Sequence, residues 1–405
     1  MDALKWIWGY LKDYKIKYGL SMILVLIAAL VSLITPILGG EIVDRVLVGG
    51  QSQYLIPILA AMLGITIIKN VIEFVFKMNF ERVSQNILLS IRRDLYQKLL
   101  ELDVDFYKRT KTGDLMARIT GDTDTLRHFI AWVVYNVVLN LSIFIFAIVY
   151  LSVVNPILTI CMLLVCPMIA ILTIKMSQEI GPTFRKSREA YSRLNSVVQE
   201  NISGNRIVKA FSQEAFEVEK FNVQNEFFKE ANMDTVYVSQ KYLPTLDFLT
   251  NLLTVIMICV GGLLVINKQL TYGELMVFNG MLWALNNPMR LAGHIINDIQ
   301  RFIASSEKIR ELLETEPKIK NIDNLEATSR IKGEVEFQNV SFSFEDTDAL
   351  KKVSFKVEAG QTIGIIGHTG SGKSTLINLV SRFYEPVSGR ILIDGKNIKS
   401  IDIKT

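Results

Sequence analysis

Hydrophobic positions along this chain fall into two regimes. Up to about residue 300 the apolar residues collect in uncharged runs of a length that crosses a bilayer as one helix, roughly 20 residues. Six such runs are predicted spans, at about 20–39, 54–76, 129–153, 157–174, 246–266 and 275–296. The first is too long for the core of a signal peptide and lacks a clean cleavage site, so it is expected to stay in the mature protein. The last is the least hydrophobic, being interrupted by Asn286, Asn287 and Arg290. Ahead of the first, Leu4, Ile7, Trp8 and Leu11 share a helix face beside Lys5 and Lys12. This pattern fits a short helix lying on the inner leaflet and equally an ordinary amphipathic cap. Residues 80–128 and 175–245 are rich in helix formers and read as helices continuing well past the membrane.

The period changes after a polar linker at 314–332. Val335, Phe337, Val340, Phe342 and Phe344 are interleaved with polar residues, and Val353, Phe355 and Val357 repeat the alternation of half-buried strands. A third strand is expected over the apolar run 362–366, followed by a glycine-rich loop and a helical segment to about Phe383. The predicted fold is therefore a six-helix all-α transmembrane domain over 1–313 with long cytoplasmic helical extensions. The linker leads into part of an α/β P-loop nucleotide-binding domain over 333–405.

Composition sharpens this picture. Of 405 residues 50% are hydrophobic and 21% charged, with a net charge of +4, and the mean hydropathy is positive at +0.31. Disorder, collagen and a small disulfide scaffold are excluded. Cys161, Cys166 and Cys259 lie inside apolar runs and read as small core hydrophobes. Basic residues crowd the segment between spans two and three, including Arg92, Arg93, Lys108, Arg109 and Arg118, whereas the turn at 154–156 has none. Both termini are accordingly expected on the cytoplasmic side of a multi-pass protein in the plasma (inner) membrane.

The chemistry lies in Gly367, His368, Thr369, Gly370, Ser371, Gly372, Lys373, Ser374 and Thr375, which match G-x-x-x-x-G-K-[ST] between strand and helix. Glycines let the backbone approach a polyphosphate, and their amides with the helix N-terminus face it. Lys373 is placed to neutralise the β and γ phosphates of ATP, and the Ser374 hydroxyl to ligate magnesium.

With those residues the chain resembles a half-transporter of the ATP-binding cassette exporter family, of the multidrug or lipid type. Residues 106–115 (FYKRTKTGDL) are similar to the family's first coupling segment, and Glu200 to Phe211 to the approach to its second. Gln300, Arg301, Ala304 and Ser305 are similar to the end of its sixth helix, and residues 388–395 to the strand turn after the cassette helix. Asp394-Gly395 is independently a hairpin signal. The resemblance implies ATP-driven export of an amphiphilic drug, lipid or peptide by alternating access. It implies partnership with a second half-transporter, identical or different, and with membrane lipid, nucleic acid playing no part. Phe344 stands where the family usually has a Tyr that stacks on adenine, though a core aromatic beside Phe342 would show the same pattern. The chain stops at Thr405, before the family's glutamine loop, signature loop, catalytic glutamate and switch histidine, so no catalytic residue is assigned. The expected completion is a longer half-transporter; the alternative is a non-catalytic nucleotide-binding partner or regulator.

Two further sets of residues carry expectations. Asn279, Trp283, Asn286, Arg290, His294 and Asn297 recur at spacings of three and four, which puts them on one face of span six as a candidate substrate path. An intramembrane Arg favours function, while a structural ion pair or snorkelling would account for it too. Lys69 and Glu73 read as an internal pair. Phe106, Tyr107, Phe211 and Phe216 are candidate coupling anchors at the far ends of the cytoplasmic helices, with internal packing of the helical hairpins as the alternative.

Overall fold

A computed structural model describes residues 2–319, 331–344 and 347–402. Most of the expected linker, and residues 403–405, lie outside the described residues. The chain forms two compact units, one of residues 1–88 and 125–304, the other of 89–124 and 305–405.

The helices are long because the sequence offers few stops. They are α1 (Asp2–Leu11), α2 (Lys15–Glu41), α3 (Leu55–Glu101), α4 (Val104–Arg109), α5 (Thr112–Ala117), α6 (Thr123–His128), α7 (Val134–Val154), α8 (Pro156–Leu163), α9 (Cys166–Ala210), α10 (Glu214–Ile266) and α11 (Tyr272–Glu314). The extensions expected past spans two, four and five are continuous with the apolar helices, whereas residues 102–128 break into short helical pieces. Asn155 breaks the chain between α7 and α8. Its side chain accepts from the Leu158 amide at 3.0 Å and Pro156 takes the first helical position, a standard helix start. The fourth predicted span is divided between α8 and α9. Pro167 accounts for this, since it has no N–H and its ring crowds the preceding turn, so it is accommodated in the first turn of α9.

Five stretches are long and apolar enough to cross a membrane: 3–48, 52–101, 112–154, 156–210 and 214–266. Helix α11 covers the sixth expected span but does not reach that level of hydrophobicity, in keeping with its polar residues. Much of the outer surface is apolar, with Ile23, Leu30, Ile56, Leu63, Ile67 and Phe74 exposed, as suits a hydrocarbon solvent. The packed interior holds Leu33, Leu151, Leu158, Met162, Ile169, Leu253, Phe278 and Met281. Cys166 is in this core, but Cys259 is exposed on α10 beside exposed Val255 and Ile258, so the core assignment fails there. It occupies the outward apolar face of its helix.

Helices α2 and α11 cross at glycines. A Cβ on Gly40 would lie 2.5 Å from Val277 Cγ2 and 2.6 Å from the Gly273 carbonyl, and one on Gly280 2.9 Å from Pro36 Cβ. A Cβ on Gly273 would strike the Gly40 carbonyl and the Asp44 carboxylate. The same Asp44 accepts from the Gly273 amide and from Thr271 Oγ1, each at 2.6 Å, tying the start of α11 to the end of α2. Gly273→Val should therefore destabilise the folded protein by about 1–3 kcal/mol, the usual cost of overpacking. Thermal melting in detergent checks this, and an unchanged midpoint would contradict the tight crossing.

In the other unit, β1 (Val335–Phe344), β2 (Thr347–Val357), β3 (Ser388–Ile393) and β4 (Lys396–Asn397) form an antiparallel sheet of order β2-β1-β3-β4, with α12 (Lys373–Val380) packed on it. Phe337 pairs with Phe355 on one side and Ile391 on the other. The inward face changes parity between Phe337 and Val340 because the register shifts there and Asn339 adopts φ 50°. Asp394 and Gly395, with φ 51° and 80°, make the expected tight turn between β3 and β4. Residues 362–366, expected as a strand, are not one: they pair with no other segment among the described residues, and Ile366 is 98% exposed. An apolar run becomes a strand only where a neighbouring backbone takes up its hydrogen bonds.

Candidate nucleotide site and substrate path

Two glycines of the loop adopt a backbone that other residues rarely take. Gly370 and Gly372 sit at φ 85° and 86°, in the left-handed region open to glycine, and Gly372 leads directly into α12. A Cβ on Gly372 would lie 2.7 Å from the Ala349 carbonyl and 2.8 Å from Leu350 Cδ2, and one on Gly367 2.6 Å from Ser371 Oγ. The Lys373 ammonium folds across this loop, donating to the carbonyls of Gly367 at 2.8 Å and His368 at 2.7 Å. His368, Thr369, Ser371 and Ser374 are exposed, while Thr375 is buried and belongs to the core side of α12.

These residues fit a polyphosphate. The cradle is one that side chains would fill, and its cation is held by two carbonyls and, at 3.4 Å, the Ser371 hydroxyl, all uncharged acceptors that a phosphate oxygen can replace. Among the described residues no group of three or more His, Cys, Asp or Glu could hold a metal ion. A divalent ion at Ser374 would thus take most of its ligands from the phosphates and water, as magnesium usually does.

Phe344, the expected adenine platform, meets Phe342 edge-on at 4.8 Å and Tyr384 at 5.4 Å, so it is half in the sheet core. The rest of its ring borders a cavity of about 540 Å³. Lys108 enters that cavity, its ammonium 4.3 Å from the Phe344 ring centre and 4.8 Å from that of Tyr384. Val104, one turn earlier on α4, packs against the sheet core. The short helix α4 therefore meets the sheet through Val104 and through Lys108, which belongs to the expected first coupling segment. Phe106 and Tyr107 turn elsewhere: their rings meet edge-on at 5.5 Å, and the Tyr107 hydroxyl donates to the Leu99 carbonyl at 2.6 Å. Tyr107 nevertheless remains 43% exposed.

Asp103 makes this docking rigid. One carboxylate oxygen caps α4 by accepting from the Phe106 amide at 3.1 Å, and the other accepts from the Lys318 amide at 2.7 Å. The Lys318 ammonium then pairs with Asp105, whose hydrogen bond from that lysine, aided by the charges of Lys318 and Arg109, holds its carboxyl below the usual range. Sequence reading passed over Val104, Lys108 and Lys318, since neither a lone valine nor lysines beside a basic run stand out against solvated positions. At the turn between α9 and α10, where the second coupling segment is expected, Phe211 is 71% and Phe216 62% exposed.

The predicted substrate stripe on α11 is divided. Trp283 faces a cavity with Pro36, Thr66, Lys69 and Asn70. Asn279 is exposed, but Asn286 is only 8% exposed and takes a 3.4 Å hydrogen bond from Thr250. The face remains continuous, as its spacing requires, with α10 over its middle at Asn286. Arg290 lies 3.6 Å from Asp247 and shares a second cavity with His294 and Asn297. Lys69 and Glu73 pair at 3.7 Å, and Glu73 also receives Lys77 at 2.7 Å.

Five helical stretches long and apolar enough to cross a membrane and a glycine loop on a small sheet are the features to set beside known proteins. Residues 18–289 match the ABC transporter transmembrane region, and residues 350–405 match the ABC transporter model. The chain belongs to the ABC transporter family. It is 32% identical to the ABC transporter ATP-binding protein YknU of Bacillus subtilis, over all of this chain and 70% of that relative. It is 30% identical to the B. subtilis protein YknV, over 98% of this chain and 66% of the relative. Similarity to the ATP-dependent lipid A-core flippase of Syntrophus aciditrophicus is 27% identity, over all of this chain and 67% of the relative. The chain thus spans about two thirds of the length of the relatives it matches.

Proposed function

We propose that the protein is half of an ATP-driven exporter that moves an amphiphilic substrate across the membrane by alternating access. In this reading α11 is the sixth span, both termini are cytoplasmic, and the protein resides in the plasma (inner) membrane. ATP binds at the glycine loop with Lys373 on its phosphates, magnesium enters at Ser374, and Phe344 supports the adenine. The observation that carries the proposal is the docking of α4, through Val104 and Lys108, beside Phe344. A change at the nucleotide is thereby one side chain away from the helices that enter the membrane. The flippase among the relatives supports export, and their greater length supports a complete cassette in the working protein.

Function on this account requires two chains. Six helices enclose little central space, and one glycine loop presents a single wall to the γ phosphate. A second copy or a different half-transporter supplies the other wall, and the exposed Phe211 and Phe216 are the anchors for its cassette. The test is ATP hydrolysis by the reconstituted full-length protein across a panel of cationic, zwitterionic and anionic amphiphiles. Saturable stimulation by one class is expected. Nucleotide binding without hydrolysis under every condition would instead support the non-catalytic partner.

A further inference from the structure

The cavity of about 570 Å³ between α9, α10 and α11 differs from an ordinary apolar membrane pocket in its charge. Four of its lining residues are arginines, Arg185 and Arg188 on α9 and Arg290 and Arg301 on α11, and none is a carboxylate. Arg290 is balanced by Asp247. The other three have no hydrogen-bond or ion-pair partner among the described residues.

Helix geometry gathers those three. Helices α9 and α11 touch where Gly293 meets Thr173 and Ser177, so closely that an added Cβ would lie 3.2 Å from Ser177 Cβ. Arg185 is eight residues beyond Ser177 and Arg301 eight beyond Gly293. At 1.5 Å per residue both lie about 12 Å further along. The helices run in the same direction through the bundle, so the two guanidiniums come level at one end of the cavity, with Arg188 a turn beyond. The other end is lined by Met176, Leu243 and Leu246. There Thr173, only 7% exposed, has a hydroxyl with no hydrogen-bond partner.

We propose that this cavity binds an anionic amphiphile bearing a phosphate head, with Arg185, Arg188 and Arg301 on the head and its apolar chain beside Met176, Leu243 and Leu246. Guanidinium forks match phosphate oxygens in pairs, which makes arginine the suitable residue for this head. The cavity lies within the usual size range of small-molecule sites and is far larger than one free phosphate fills. The inference deepens the proposed export function by naming the substrate class, and rests on it only for the claim that the bound molecule is cargo.

The test is equilibrium binding to the full-length protein in neutral detergent, without nucleotide. The probes are fluorescent phosphatidic acid, phosphatidylcholine with the same label, and inorganic phosphate as competitor. The wild type is expected to prefer phosphatidic acid by about tenfold or more, the variant R185Q/R188Q/R301Q to lose that preference, and R185K/R188K/R301K, which keeps the charge without the paired forks, to keep part of it. Equal affinity of the wild type for the two lipids would overturn the proposal. So would a preference that survives in the glutamine variant. Full displacement of the lipid by millimolar phosphate would reduce the site to an oxyanion site and overturn the amphiphile assignment. Because this readout needs no ATP, a protein that binds phosphatidic acid selectively but fails to export it would refute the transport reading alone.

Discussion

Lys373→Ala is expected to weaken ATP binding by about tenfold to a hundredfold, whereas His368→Ala should change it by less than about twofold. The difference follows from the loop. The Lys373 ammonium lies over the hollow, held by two backbone carbonyls, and is positioned to transfer to phosphate oxygens. A hydrogen bond to a charged group contributes about 1.5–3 kcal/mol, and losing it leaves the phosphate charge without its cation. His368 contributes its carbonyl to the resting lysine, while its side chain is exposed and unused by the loop. Labelled-ATP binding to the purified full-length variants is the check. Equal affinity of wild type and Lys373→Ala would remove the nucleotide assignment from this loop.

The second large effect is expected at Lys108. Lys108→Glu should leave ATP turnover within about threefold of the wild type and lower transport by about tenfold, equivalent to about 1.4 kcal/mol of lost coupling. The lysine faces two aromatic rings, an attraction of about 0.5–2 kcal/mol depending on solvent exposure. A glutamate there faces the same rings with the wrong sign and adds a fourth carboxylate to a cavity already lined by Asp103, Asp105 and Glu385. Phe106→Ala should have a smaller effect on coupling, because that ring packs on Tyr107. The measurement is paired ATPase and transport rates in the same proteoliposomes. Unchanged transport in Lys108→Glu would show that α4 does not carry the signal.

The relation between sequence and fold is uneven for physical reasons. Long apolar runs announce helices because a membrane leaves the backbone no other open-chain choice, and most of α2, α3, α7 and α10 was legible that way. The division of the fourth run at Pro167 concerns one residue and was not. The glycine loop stands out in the sequence because phosphate binding would restrict residue type at fixed spacing, and the positive φ of Gly370 and Gly372 accounts for two of its glycines. Residues 362–366 were misread because strand character belongs to a pair of segments, and their composition does not reveal whether a neighbour is present. Lys108 was missed because aromatics suggest anchors more strongly than lysines do. Arg185 and Arg301 are more than a hundred positions apart in sequence. Only the crossing of α9 and α11 at Gly293 makes them one site.

The central claim is that ATP drives an amphiphile across the membrane through this protein. It is tested most directly by reconstituting the full-length protein in liposomes and following a fluorescent phosphatidic acid between leaflets with a membrane-impermeant quencher. The account predicts movement that starts on addition of ATP with magnesium, stops in Lys373→Ala, and falls sharply in R185Q/R188Q/R301Q. Movement at the same rate without ATP, or undiminished in Lys373→Ala, would contradict it.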